Sequence, residues 1–392
     1  MNPNYGSDAE AEKAASRKLW FARAACLLQV GCMAQLSVYE AVHMQDKGLS
    51  GTMIGVVMAT HSALLILTGP IWGRMADRYR FHRRLIAIGT LGMCGTLAWF
   101  ALANSTVDFF VYALMKGLLL GSVMGVMPAL ILSNLPPHSQ GQGFGGVRSF
   151  GSIGFMVGTL ALPALFPSIS SIVLIAALLL PISIYFVFGL DRPAQRTAEE
   201  EIAFGAKLPT LLYWFLAAHF LVSLTDPAIN GFFNGFARTM GAPIEWIGVL
   251  SGINGFLAFV SLPLMGLWVD KRGATGVLLL GYAAQGLRLL TASFITTPEW
   301  LWVPQLFHCF GWAGREVATI VFVTLLVGPT KRATAVTLAI STNVAGMMVG
   351  SFLMGRLSDL YGYPIMFRII AALAGGSLIF LFYVLSGIKK RS

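Results

Sequence analysis

The feature that most constrains this chain is the recurrence of apolar runs about 20 residues long. They fall near 18–43, 50–74, 84–104, 108–133, 141–166 and 169–190, then near 208–236, 244–269, 274–296, 299–327, 333–357 and 364–387. An α-helix of that length, rising 1.5 Å per residue, crosses the roughly 30 Å hydrocarbon core of a bilayer. Composition closes off a soluble alternative. Charged residues make up 11% of the chain and hydrophobic ones 56%, against about 25% and 45–50% in soluble domains. A water-soluble fold of 392 residues could not cover its surface with so little charge. The chain therefore reads as an all-α integral membrane protein of twelve transmembrane helices.

The formal net charge of +10 would suggest nucleic acid as a partner of a soluble protein. Here the basic residues cluster in short loops between apolar runs, where they act as topology signals and meet anionic lipid headgroups, so no nucleic acid is expected. With the N-terminus inside, nineteen basic residues fall on the cytoplasmic side and only Lys47, Arg238 and Arg356 on the other. That asymmetry predicts a multi-pass protein of the cell (inner) membrane with both termini cytoplasmic. The first apolar run lacks the short core and cleavage site of a signal peptide, so helix 1 is expected to be retained. Residues 1–17 read as a polar cytoplasmic N-terminus, 18–190 as a six-helix bundle, 191–207 as a cytoplasmic linker and 208–392 as a second six-helix bundle. The four cysteines, Cys26, Cys32, Cys94 and Cys309, lie in apolar segments with no spacing that suggests a disulfide or a zinc site. No metal or cofactor is expected.

A short motif repeats across the two halves. The loop after the second run reads Gly73-Arg74-Met75-Ala76-Asp77-Arg78, and the loop after the eighth reads Gly266-Leu267-Trp268-Val269-Asp270-Lys271. The two aspartates are 193 positions apart, about half the chain. A third copy, Gly355-Arg356-Leu357-Ser358-Asp359, follows the eleventh run. The glycine lets two helices approach closely. The aspartate four residues on shares its helical face and can accept bonds from a neighbouring helix N-terminus or an arginine. Such a contact can form in one conformation and break in another, which makes Gly73, Asp77, Arg78, Gly266, Asp270 and Lys271 candidates for conformational gating.

On these residues the chain resembles the major facilitator superfamily, whose signature between helices 2 and 3 is a glycine, then Asp-Arg, then basic residues. The resemblance covers essentially all twelve helices and implies two pseudo-symmetric six-helix bundles. Arg80 stands where that pattern usually has glycine, which predicts a looser turn. Gly146-Val147-Arg148-Ser149-Phe150-Gly151-Ser152-Ile153-Gly154 is similar to the Arg-x-x-Gly-Ser-x-Gly segment of the branch holding lactose permease, nucleoside–proton symporters and the phenylpropionate permease. That likeness implies import of a small organic solute with a proton, and a substrate contact at Arg148. Where the sugar carrier has a glutamate late in helix 4, this chain has Leu130 and Ile131, which argues against a galactoside.

Eight charged residues lie inside the predicted helices: Glu40, Lys116, Arg148, Asp226, Arg288, Arg315, Glu316 and Arg368. At roughly 2.5–3.5 kcal/mol each on insertion scales, exposure of all of them to lipid would cost on the order of 20 kcal/mol, more than a fold can carry. Most must face a cavity or one another. His219, Ser223, Asp226 and Asn230 follow one helical stripe, and His308, Trp312, Arg315, Glu316 and Thr319 another. The resemblance places both stripes on path-lining helices, 7 and 10, with Tyr39 and Glu40 on helix 1 and Lys116 on helix 4.

The candidate substrate-binding residues are Tyr39, Lys116, Arg148, His219, Asn230, Asn254, His308, Trp312, Arg315 and Asn343. The candidates for proton coupling are Asp226, Glu316 and Glu40. Arg368 is expected to snorkel or pair with Asp359, Arg288 to sit in a structural ion pair, and His61 to be a packing residue. Five basic against three acidic groups lean towards an anionic solute such as an aromatic carboxylate, with nucleosides and sugars open. The chain has no HExxH, nucleophile elbow, Walker loop or Cys/His cluster, so neither an enzyme nor an ATP-driven pump is expected. The function predicted is secondary transport by alternating access, as proton symport. A proton-driven exporter of drugs or sugars is the alternative, and a monomer suffices for either.

Overall fold

The computed structural model describes residues 4–135, 140–191, 208–327 and 331–389. The expected 191–207 linker, apart from Asp191, lies outside the described residues, as do Lys390 and Arg391 and the side chain of Asp77. The first half holds α1 (Asn4–Asp46), α2 (Gly51–Tyr79), α3 (His82–Leu102), α4 (Thr106–Ser133), α5 (Gln140–Leu165) and α6 (Ile169–Phe188). The second holds α7 (Thr210–Thr239), α8 (Ile244–Arg272), α9 (Ala274–Ala292), α10 (Pro298–Val327), α11 (332–361) and α12 (363–389).

Local chemistry sets the boundaries. Ser50 caps α2 by accepting from the Met53 amide, and Ser105 with Asp108 forms a capping box at the start of α4. Gly362, at φ 74° and followed two residues later by Pro364, divides α11 from α12; an L-side chain resists that left-handed conformation. The N-terminal segment differs from expectation. It is helical from Asn4, because Ala, Glu and Lys extend a helix readily beyond the membrane. The turn after α2 also differs. Arg80 adopts the left-handed geometry itself, at φ 53°, so the turn keeps the shape that glycine would give, with local strain in place of slack.

Among the described residues ten stretches qualify as membrane spans by length and hydropathy. The last, Thr334–Ser386, holds two crossings divided at Gly362, and α9 falls outside the ten because Gln285 and Arg288 lower its hydropathy. Large apolar side chains such as Leu178, Leu325, Phe382 and Tyr383 point outward, as a lipid-facing surface requires.

The buried core is divided in an informative way. At the end away from the chain termini one continuous apolar cluster draws on both halves, from Leu36 and Phe100 to Phe232, Leu250 and Phe367. At the termini end there are two separate clusters. One, with Ala22, Leu85 and Leu130, belongs to the first half, and the other, with Phe215, Leu278 and Phe322, to the second. The halves are joined at the far end and parted at the termini end.

Candidate functional site

Polar contacts reinforce the apolar seal at the far end. Asp359, at the end of α11, accepts from the backbone amides of Gly51 and Thr52, each at 2.7 Å, and from the Thr52 hydroxyl at 2.6 Å. It thereby caps the N-terminus of α2, where free amides and the helix dipole favour a carboxylate. Beside it, a Cβ on Gly355 would collide with the Gly51 carbonyl oxygen, so the two helices touch backbone to backbone. Arg238 of α7 holds both carboxylate oxygens of Asp46 of α1, at 3.0 and 3.2 Å. Tyr363 donates to Gln45 at 3.3 Å, and Asn234 to the Val38 carbonyl at 2.9 Å. The third copy of the motif is therefore engaged. At Gly73 and Gly266 an added Cβ would meet no described residue within 4 Å, and Asp270 and Lys271 are exposed. Those glycines do not mediate the expected close approach here, because the halves are apart at that end.

Below the seal, between the halves, lies a cavity of about 310 Å³. Its first-half wall includes Ser37, Arg148, Ser152 and Phe155; its second-half wall includes Asn230, Asn254, His308 and Trp312. Among the described residues Arg148 is the one charged side chain lining this cavity, and no carboxylate lines it. Trp312 lies parallel to the His308 ring, 5.2 Å between centroids. A second chamber of about 300 Å³ shares Asn230, Trp312 and Met347 with the first and continues into the second half. It is lined by His219, Asp226, Arg315, Glu316, Thr319 and Asn343.

Backbone irregularity prepares this second chamber. Asp226 precedes Pro227 and the π-helical turn Ala228–Phe232 of α7, and Arg315 follows the π-helical turn Cys309–Gly314 of α10. Such wide turns interrupt the regular ladder and often accompany function. Arg315 Nη2 donates to both Asp226 oxygens, at 2.6 and 2.8 Å. Asn343 and Gln285 donate to the same carboxylate at 3.1 and 3.3 Å. Asp226 is thus saturated with donors. Glu316 is exposed within the chamber and has no hydrogen-bond partner for its carboxylate among the described residues. Arg315 Nη1, His219 Nδ1 and Thr319 Oγ1, buried polar atoms on the chamber's lining residues, also lack hydrogen-bond partners among the described residues.

Two candidate substrate residues lie elsewhere. Lys116 donates to Glu40 at 2.7 Å inside the first half, where Tyr112 donates to the same carboxylate at 3.0 Å and His61 Nδ1 stands 3.5 Å away. Neither Lys116 nor Glu40 lines a chamber, since each satisfies the other. Tyr39 is fully buried and donates to the Ile244 carbonyl at 3.4 Å, in the far-end seal. Among the described residues Arg288 has no ion pair; its partners are His308, Asn254 and Gln305. Arg368 lies over the Phe294 ring, while Asp359 is taken by α2. The contribution of Gln285 to the Asp226 cluster was not foreseen from sequence; its place three residues before Arg288, one turn along α9, was the available signal.

Comparison with known proteins adds the following. A model of the family described as "MFS_1 like family" matches residues 19–369. "Multidrug resistance protein MdtG" of Escherichia fergusonii is 22% identical over 316 residues, 76% of each chain. The protein of the same name from Enterobacter lignolyticus is 22% identical over 312 residues, 75% of this chain and 74% of that one. Among solved structures, the nucleoside transporter NupG superposes with a TM-score of 0.77 at 17% identity, covering 95% of this chain and 99% of the other. A bacterial homolog of the human lysosomal transporter Spinster, inward-facing and occupied, gives 0.74 at 14% identity over 98% of both chains.

Proposed function

The chain belongs to the MFS_1 like family and is a secondary transporter on the major facilitator fold, and on that premise we propose that it moves a small organic solute by alternating access in symport with protons. The observation that carries the proposal is the cavity between two halves that are sealed at one end and parted at the other. The basic residues gather at the parted end, which supports a cytoplasm-facing conformation with both termini cytoplasmic, in the inner membrane. Rocking of the two six-helix units, 18–190 and 208–392, about the cavity would expose it to the other side. One chain supplies both walls, so a monomer suffices.

In this reading the central cavity receives the solute, an aromatic carboxylate, nucleoside or sugar, between Arg148 on one side and Asn230, Asn254, His308 and Trp312 on the other. The second chamber handles the proton. Glu316, accessible and without a hydrogen-bond partner among the described residues, takes it from the open end. Asp226 holds Arg315 until protonation releases the guanidinium, so that proton and solute bind cooperatively; a coupling of about 1–3 kcal/mol is enough. Glu40, closed off with Lys116, is the third carboxylate available for coupling. The gate would exchange Asp359 on α2 for the motif copies at Gly73–Arg78 and Gly266–Lys271 when the far end opens. The curated relatives' name, multidrug resistance protein, supports export as the second reading.

Uptake into proteoliposomes with and without an inward proton gradient tests the proposal. Gradient-stimulated accumulation is expected, lost in Glu316→Gln or Asp226→Asn. Full gradient-driven uptake in both variants would overturn the coupling assignment. Gradient-driven loss of preloaded solute would favour the export reading.

A further inference from the structure

Arg288 is the least explained charge in the molecule. It is 1% exposed, on α9, with no carboxylate partner among the described residues. Its Nη1 lies 3.0 Å from His308 Nδ1, its Nη2 donates to Asn254 Oδ1 at 3.2 Å, and the same nitrogen donates to Gln305 Oε1. A guanidinium has five N–H donors and no acceptor. Every atom that meets it at hydrogen-bond distance must therefore present a lone pair.

This one-sidedness propagates outward. With Nδ1 of His308 holding its lone pair towards Arg288, the ring proton of the neutral imidazole sits on Nε2. With Oδ1 of Asn254 turned to Arg288, its amide N–H groups are turned the other way. His308 and Asn254 both line the central cavity, and neither the Nε2 nor the Nδ2 atom has a partner among the described residues. Arg288 thus uses up the acceptors of two wall residues and leaves their donors for the cavity. On the opposite wall Arg148 adds a guanidinium, and among the described residues it has no ion pair and no carboxylate lines the cavity to balance it.

We propose that the central cavity is selective for organic carboxylates with a flat apolar body, and that Arg288 is the positioning residue behind that selectivity. The carboxylate bridges Arg148 of α5 and the His308 and Asn254 donors of α10 and α8, while the flat body lies against Trp312 and Phe155. The charged groups that face His308 are Arg288 of α9 and Arg315 of α10, with Arg148 of α5 across the cavity, all of them cationic. Because the Arg288 guanidinium can only donate, His308 keeps its Nδ1 lone pair towards it and presents Nε2–H as a donor of fixed orientation. The inference deepens the transport reading and rests on it. It narrows the three solute classes named above to one.

Binding to the purified full-length protein in detergent, measured by titration calorimetry, tests it without any gradient. The probes are benzoate and indole-3-acetate against their neutral amides, with uridine and lactose as uncharged controls. Each carboxylate is expected to bind at least ten-fold more tightly than its amide at both pH 5.5 and pH 7.5, since the proton step in the second chamber acts on acid and amide alike and leaves their ratio unchanged. Arg148→Gln should erase that gap. Arg288→Met should weaken carboxylate binding about ten-fold. It should also make the acid-to-amide ratio pH-dependent, because a freed histidine titrates near its ordinary value of about 6.5; adding His308→Gln should remove that pH dependence of the ratio. Should Arg288→Met fail to fold, ¹⁵N spectra of histidine-labelled wild-type protein, with His308→Gln to assign the signal, give the same information. A protonated Nε2 and bare Nδ1 are expected throughout that range. Equal affinity for acid and amide, tighter binding of uridine or lactose, no carboxylate binding at all, or a protonated Nδ1 would each overturn the inference. The transport reading survives those results if a neutral solute is still accumulated by proteoliposomes, and falls with the inference if no solute of any class is moved.

Discussion

Replacing Asp359 by alanine should loosen the far-end seal by an amount that can be worked from its contacts. The carboxylate accepts three bonds of 2.6–2.7 Å from the first turn of α2, two from backbone amides and one from the Thr52 hydroxyl. Loss of a helix-capping side chain costs about 0.5–2 kcal/mol, and a carboxylate at a helix N-terminus adds about 0.3–1 kcal/mol. Asp359 is exposed, so solvent and salt discount the sum, and about 1.5 kcal/mol is a reasonable net figure. The bonds join α11 to α2 across the two halves, so the loss falls on the conformation closed at the far end. A bias of that size changes the ratio of closed to open molecules roughly ten-fold. Pulsed electron–electron resonance reads it directly. Spin labels at Val107 and Trp300, exposed far-end positions on opposite halves, report the gap on a background without the four native cysteines. Asp359→Ala should move population to longer distances, and Asp359→Asn, which keeps one acceptor oxygen, should move less. Superimposable distance distributions in Asp359→Ala and wild type would refute the reasoning, since the bonds would then carry no conformational weight.

Three further outcomes follow from the packing. Gly355→Val should open the far end more than Asp359→Ala does, because its Cβ meets the Gly51 carbonyl, a backbone atom that cannot swing aside; the same spin-label pair checks it. Glu40→Gln leaves Lys116 buried without its counter-charge and should lower stability by about 3–5 kcal/mol, whereas Glu40→Gln combined with Lys116→Met should recover most of the loss; thermal unfolding in detergent separates the two. Gly266→Ala, by contrast, should leave stability within about 0.5 kcal/mol of wild type, since nothing lies within 4 Å of its added methyl.

The twelve crossings were legible in the sequence because span length is a local property matched to bilayer thickness, and a run of apolar residues carries it whole. The stripes of α7 and α10 were legible for the same reason. His219, Asp226 and Asn230, like His308, Trp312 and Arg315, recur at helical spacing and all line the two chambers. The α9 crossing shows the limit, since Gln285 and Arg288 blur its hydropathy while serving the interior. Which charge meets which was not legible. Glu40 is 76 positions from Lys116, Asp226 is 89 from Arg315, and Asp359 is 307 from Thr52. No periodicity along one helix relates residues on two, so Lys116 read as a cavity residue and Arg288 as half of an ion pair until the helices were packed. The three glycine–aspartate segments are alike in sequence, yet only tertiary structure decides which is engaged. That choice belongs to the conformation, through which end of the two halves is closed, and a sequence that must visit both ends specifies neither one alone.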